Sequence, residues 1–126
     1  MSLSIRWSLD IEATEGPSLG ISRVQGVEAV IHIEVPVPET DTAVEVTTGS
    51  GDDVTFLALL ASDYSGDIAY TLDKGDATSW KVLDHPLVLT GAAAVGLLGK
   101  PSPIFVKNSG AAPLSVSVLL GGDATP

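Results

Sequence analysis

The stretch VTFLALLASDYSGDIAYTLD, residues 54–73, constrains the chain most: a nearly all-apolar run meets a polar turn and then a second run that alternates. In an extended segment Val54, Phe56, Ala58 and Leu60 point to one side and Thr55, Leu57, Leu59 and Ala61 to the other, so both faces need cover and the segment reads as a central strand. A helix is the rival reading, because Leu and Ala favour helices. The run is short, however, and it ends in a turn cluster, residues 62–67, rather than a helix cap. Ile68, Tyr70 and Leu72 then line one face of a returning strand, which makes the two runs a central pair.

Other alternations extend this pattern in both directions. Leu3, Ile5, Trp7, Leu9 and Ile11 alternate with Ser4, Arg6, Ser8, Asp10 and Glu12, the cleanest strand of the chain. Residues 15–20 read as a loop by composition, followed by a brief apolar recovery at Ile21 and Val24. Val27, Ala29, Ile31, Ile33, Val35 and Val37 form the next alternating face, and Pro36, which lacks an amide hydrogen, places the end of that strand at a sheet edge or beyond its partner.

After a turn at residues 38–42, Val44 and Val46 give a short strand closed by a turn at residues 48–53. Trp80 and Val82 start a further strand, which Pro86 divides from residues 87–90. Residues 91–99 have a composition that permits a helical turn, but three glycines argue for a loop or short turn packed on the sandwich. Ile104, Phe105 and Val106 form a buried strand, residues 108–113 a loop, and Leu114, Val116, Val118 and Leu120 a last strand. Residues 122–126 read as a flexible polar tail.

Eight or nine short strands with no amphipathic helix indicate an all-β fold, one antiparallel β-sandwich domain over residues 1–126. An antibody-type sandwich would carry paired cysteines and this chain has none, so a jelly roll is the better expectation. Without cysteine there is neither a disulfide framework nor a thiolate metal site, and nothing calls for an oxidising compartment. The N-terminus lacks a signal-peptide pattern, and no apolar run approaches the roughly 18 residues that span a bilayer. Sixteen acidic against six basic residues argue against nucleic-acid binding, which needs clustered Lys and Arg. The 44% hydrophobic content is too high for a disordered acidic segment.

Residues capable of chemistry are scattered. His32 and His85 fall in different contexts, and for each a solvated or turn histidine outweighs a metal or acid–base role. No serine lies in a GlyXaaSerXaaGly turn. The glycine-rich residues 91–100 would need glycine at Ala94 and a hydroxyl at Pro101 to form a phosphate loop. Asp52 with Asp53, Asp63 with Asp67, and Asp73 with Asp76 pair acids within turns but lack the spacing of a calcium loop. Lys74, Gly75 and Asp76 match a tripeptide of some integrin ligands, a coincidence expected of a strand connection. We therefore expect no enzyme, no catalytic, cofactor-binding or metal residue and no cofactor. A carbohydrate- or protein-binding module using Trp7, Tyr64, Tyr70 or Trp80 is the alternative, weakened by the scarcity of aromatics, two each of Trp, Tyr and Phe.

Residues 83–121 show an IleXaaValXaaAsn strand ending at Asn108, a loop of small residues, and a closing alternating strand that stops at glycine. This cadence resembles small β-sandwich structural proteins of tailed bacteriophages. The resemblance implies a virion structural protein, a capsid decoration or cement protein or a head-to-tail component, assembled in the host cytoplasm. It also implies a homo-oligomer, most often a trimer, with the major capsid protein or another virion protein as partner, and no nucleic-acid or membrane partner. Apolar residues on otherwise polar faces, Leu119 and Val30, and the need to cover Leu57 and Leu59, point the same way: a neighbouring subunit is expected to hide them.

Overall fold

In a computed structural model, residues 3–47, 54–76, 78–99 and 101–122 are described. The strands are β1 (Leu3–Glu12), β2 (Ser18–Val27), β3 (Ala29–Val37), β4 (Val44–Val46), β5 (Val54–Ala61), β6 (Ile68–Thr71), β7 (Lys81–Val82), β8 (Leu87–Thr90), β9 (Ile104–Asn108) and β10 (Leu114–Gly122), with one helix, α1 (Ala92–Leu98), between β8 and β9. All pairings among them are antiparallel. One four-stranded sheet runs β3-β10-β5-β8 and the other β4-β9-β6-β7, while β1 and β2 form a separate two-stranded hairpin.

The order of the strands defines the fold. From β3 onward the chain passes from one sheet to the other at almost every connection, and only β6 and β7 are consecutive strands of the same sheet. This interleaving of eight strands in two sheets is the jelly-roll topology, the all-β fold expected from the sequence.

The core lies between the sheets. Val35, Val37, Leu57, Leu59, Val116, Val118 and Leu120 descend from one sheet to meet Val46, Ile68, Tyr70, Ile104 and Val106 from the other. Period-two alternation explains the selection, since the residues between these positions point outward. β5 is indeed a central strand, flanked by β10 and β8, and Leu57 and Leu59 are fully buried. β3 is an edge strand, so Pro36 leaves no partner without a donor on its open side.

Several local expectations need correction. First, residues 18–20 are not loop: Ser18–Val27 is a ten-residue strand whose register with β1 runs without interruption from Leu3↔Val27 to Glu12↔Ser18. Second, β5 and β6 are not a hairpin pair, because they belong to opposite sheets. The connection turns away at Ser62, whose amide donates to the Ser115 carbonyl at 2.9 Å. Third, residues 92–98 form a two-turn helix rather than a loop, with Val95 buried in the core. Its alanines and leucines outweigh Gly96, and the other two glycines stand outside it, at positive φ: Gly91 at 91° and Gly99 at 113°. Fourth, Gly122 belongs to β10 and pairs with Ala29. The rest of the expected tail, residues 123–126, and the turn at residues 48–53 lie outside the described residues.

Pro86 does separate two strands, and they fall in different sheets: β7 beside β6, β8 beside β5. Trp80 precedes β7 rather than belonging to it.

Candidate interaction surface

The hairpin is built by simple alternation on both strands. On one face the cross-strand neighbours are Leu3 with Val27, Ile5 with Gln25, Trp7 with Arg23, Leu9 with Ile21 and Ile11 with Leu19. The opposite face carries Ser4, Arg6, Ser8, Asp10 and Glu12, with Ser22, Val24 and Gly26 across from them. At the tip, the Ala13 amide donates to the Pro17 carbonyl at 3.1 Å and the Gly16 amide to the Ala13 carbonyl at 3.0 Å. Glu15, in the left-handed region at φ 60°, completes the reversal.

The two halves of this face have different fates. Ile5 and Val27 are buried against Phe56 and Ala58, with Trp7 and Leu119 packed at the margin, forming a second hydrophobic cluster on the outer side of the β3-β10-β5-β8 sheet. The Gln25 side-chain amide donates to the Thr55 carbonyl at 3.0 Å and to its hydroxyl at 2.7 Å, and the Glu28 amide donates to the Gly122 carbonyl at 2.9 Å. These bonds fix the root of the hairpin. Beyond Trp7 the same face is exposed: Leu9 at 51%, Ile11 at 50%, Leu19 at 66% and Ile21 at 42%. A two-stranded ribbon is at best marginal in water, and only its inner half here has a support.

This arrangement revises the apolar surplus expected from the sequence. Leu119 is covered by the hairpin of its own chain, and Leu57 and Leu59 by the opposite sheet. The far side of the central strand is Phe56 and Ala58, also under the hairpin. Val30 stays exposed, as do Leu60 and Val88 on the outer face of the sheet. The apolar surface left over includes Val24, Val82 and Leu97 in separate places and, as a cross-strand group, the outer half of the hairpin, a feature hidden in the sequence because the alternation of β1 has the same form whether its apolar side is buried or not.

Charge separates the hairpin from the body as well. Residues 3–27 carry both arginines of the chain against three acids, whereas the remainder carries four lysines against thirteen acids.

The polar residues singled out in the sequence are dispersed. His32 is exposed on β3, opposite Leu119. His85 is exposed in the β7–β8 connection, where its Nδ1 lies against the carbonyl oxygen of Asp84 and 3.9 Å from the Asp84 carboxylate. The turn acids are engaged locally. Asp73 accepts the Gly75 amide at 3.1 Å, Asp67 accepts the Ser65 hydroxyl at 2.9 Å, and Asp76 accepts the Thr78 amide at 3.0 Å and hydroxyl at 2.7 Å. Those bonds from Thr78, the hydroxyl's first, hold the Asp76 carboxyl below its ordinary range. Asp52 and Asp53 lie outside the described residues. Among the described residues no three His, Asp or Glu side chains are grouped to hold a metal ion.

The aromatics are not gathered either. Tyr70 is in the main core, Tyr64 receives the Ala61 amide on its hydroxyl at 2.9 Å, Trp7 belongs to the hairpin root, and Trp80 lies under Lys107, whose Nζ is 4.4 Å from the ring centroid. A shallow hollow of about 160 Å³ is lined by Thr71, Ser79 and Lys81 among others. Its hydroxyls are already engaged: Thr71 and Ser79 hydrogen-bond each other at 2.5 Å, and the Ser79 hydroxyl lies within the turn against the carbonyls of Asp73 and Asp76. No helix among the described residues is long and apolar enough to cross a membrane. No family model matches the chain, and comparisons with curated proteins and with solved structures return no match.

Proposed function

We propose that this protein is a non-catalytic structural subunit that self-associates and stabilises a larger protein particle, in the manner of a bacteriophage capsid decoration or cement protein. The observation that carries the reading is the hairpin: one face, apolar but for Gln25 and Arg23, half anchored on its own sandwich and half presented to solvent. A hairpin rooted this way is an arm, and an arm with an apolar face fits attachment to protein surfaces.

Magnitudes favour many weak contacts over one strong one. Full burial of an aliphatic side chain contributes about 1.5–3 kcal/mol, so covering four half-exposed ones yields about 4 kcal/mol. Bringing two free molecules together costs about that much or more. A single arm therefore binds weakly, and a closed ring, or an array of copies on a shell, is where its contribution accumulates. The phage setting draws on the cadence of residues 83–121, and the jelly roll, an architecture shared by viral capsid and lectin domains, is compatible with it without selecting it.

Light scattering after size exclusion, at micromolar concentration and moderate salt, tests the assembly. A mass of three chains is expected. A variant with Leu9, Ile11, Leu19 and Ile21 all replaced by Ser is expected to keep the fold and lose the oligomer. The virion setting is tested separately: genes for capsid, portal or tail proteins are expected beside its own, and the protein is expected in purified particles. A wild-type monomer that also fails to bind capsid or tail assemblies overturns the reading.

A further inference from the structure

We propose that the outer half of the hairpin of one copy seats on the outer face of the β3-β10-β5-β8 sheet of a second copy, against Leu60 and Val88, with Arg23 meeting Glu34 on the edge strand β3. This rests on the self-association part of the reading above and names the two surfaces involved.

Continuity is the first argument. The inner half of the hairpin face already packs on this same sheet, at Phe56 and Ala58. Leu60 is the next residue of β5 on that side, and Val88 lies directly across from Ala58 on β8. The seat therefore extends an interface whose chemistry the chain has already established within itself.

Complementary leftovers are the second. Within one copy Leu60 is 43% and Val88 48% exposed, and the outer hairpin residues are exposed too, so neither surface covers the other. Two different apolar surfaces left over on each copy make a head-to-tail contact, which closes into a ring when the rotation permits.

Charge supplies the third. The bodies of two copies repel, being strongly acidic, while the hairpin is nearly neutral and holds both arginines. Arg23 stands across from Trp7 on the apolar hairpin face, and Glu34 stands across from Ser117, which itself pairs with Leu60. An arginine flanking the arm and a glutamate flanking the seat suit each other and set the orientation.

The absence of cysteine from the chain makes the test direct. Ile21→Cys is mixed with Leu60→Cys or with Val88→Cys under mild oxidation. A crosslinked dimer is expected in at least one mixture, in excess of that formed by any variant alone. Arg23→Glu is expected to weaken self-association about tenfold, and Glu34→Arg on the same chain to restore most of it. Crosslinking of Ile21→Cys only with itself would place hairpin on hairpin and overturn the proposal. So would an oligomer that forms none of these crosslinks, and in both cases self-association stands. A monomeric wild-type protein removes the proposal and the self-association together.

Discussion

Gly121 of β10 lies directly beneath Ile5 of β1: a Cβ at position 121 would stand 2.3 Å from the Ile5 Cδ1 atom. The Ile5 side chain ends against bare backbone there, and a larger residue at 121 would displace its tip. Gly121→Ala is therefore expected to turn the Ile5 tip out of its present packing at a cost of about 1 kcal/mol, read from chemical denaturation. Trimming the opposing side chain in Ile5→Val is expected to recover part of that loss, so the two changes should be non-additive in a double-mutant cycle.

The exposed end of the hairpin face should respond differently from the core. Leu9→Ser and Leu19→Ser are each expected to alter monomer stability by no more than about 0.5 kcal/mol. Leu57→Ala, between the sheets, is expected to cost about 2–5 kcal/mol. Thermal melts of the three variants at matched concentration separate an arm from a core.

Asn108 is fully buried at the end of β9, and its side chain ties three segments together. Its Nδ2 donates to the Val37 carbonyl at 3.3 Å and to the Ala112 carbonyl at 2.7 Å, and its Oδ1 accepts the Gly110 amide at 2.9 Å. Asn108→Leu leaves those partners unsatisfied and is expected to destabilise the protein by about 2–3 kcal/mol in urea titration. Hydrogen exchange should rise first in residues 109–113.

Burial, and then the nearby negative charge of Asp84, raise the Tyr70 hydroxyl above its ordinary value of 10.0. Since the folded state holds this proton more tightly than the unfolded chain does, the associated stability is complete below the unfolded value and is lost as pH rises through the folded one. Stability is thus expected to fall on the alkaline side of pH 10.0. Tyr70→Phe should flatten that part of the profile, measured by denaturation at a series of alkaline pH values.

What could be read in advance depended on how local its cause was. β5 was recognisable because residues 54–61 are apolar on both faces, and β10 because Val116, Val118 and Leu120 alternate cleanly. β2 escaped because Arg23 and Gln25 interrupt its apolar face and Gly20 and Gly26 weaken its propensity; its strand character comes from pairing with β1. That β6 leaves β5 for the other sheet is a matter of packing that no residue in the turn encodes. The exposed half of the hairpin was equally hidden, since Leu9 and Ile11 continue the pattern of Ile5 and differ from it only in lying beyond the sheet that covers Ile5.

β10 sits between β3 and β5, yet it follows both of them in the chain. Ala29 and Gly122 are cross-strand neighbours although the whole two-sheet body is threaded between them, so the pairing carries a large loop-closure cost. On the ribosome, β3 and β5 emerge with an empty slot between them, and the sheet cannot close until residues 114–122 have left the exit tunnel. Completion of this sheet consequently waits for a strand distant in sequence, which slows folding, and until then two apolar strand edges stand open to other chains. β10 is the strand that covers both of those edges at once, pairing with β3 on one side and β5 on the other.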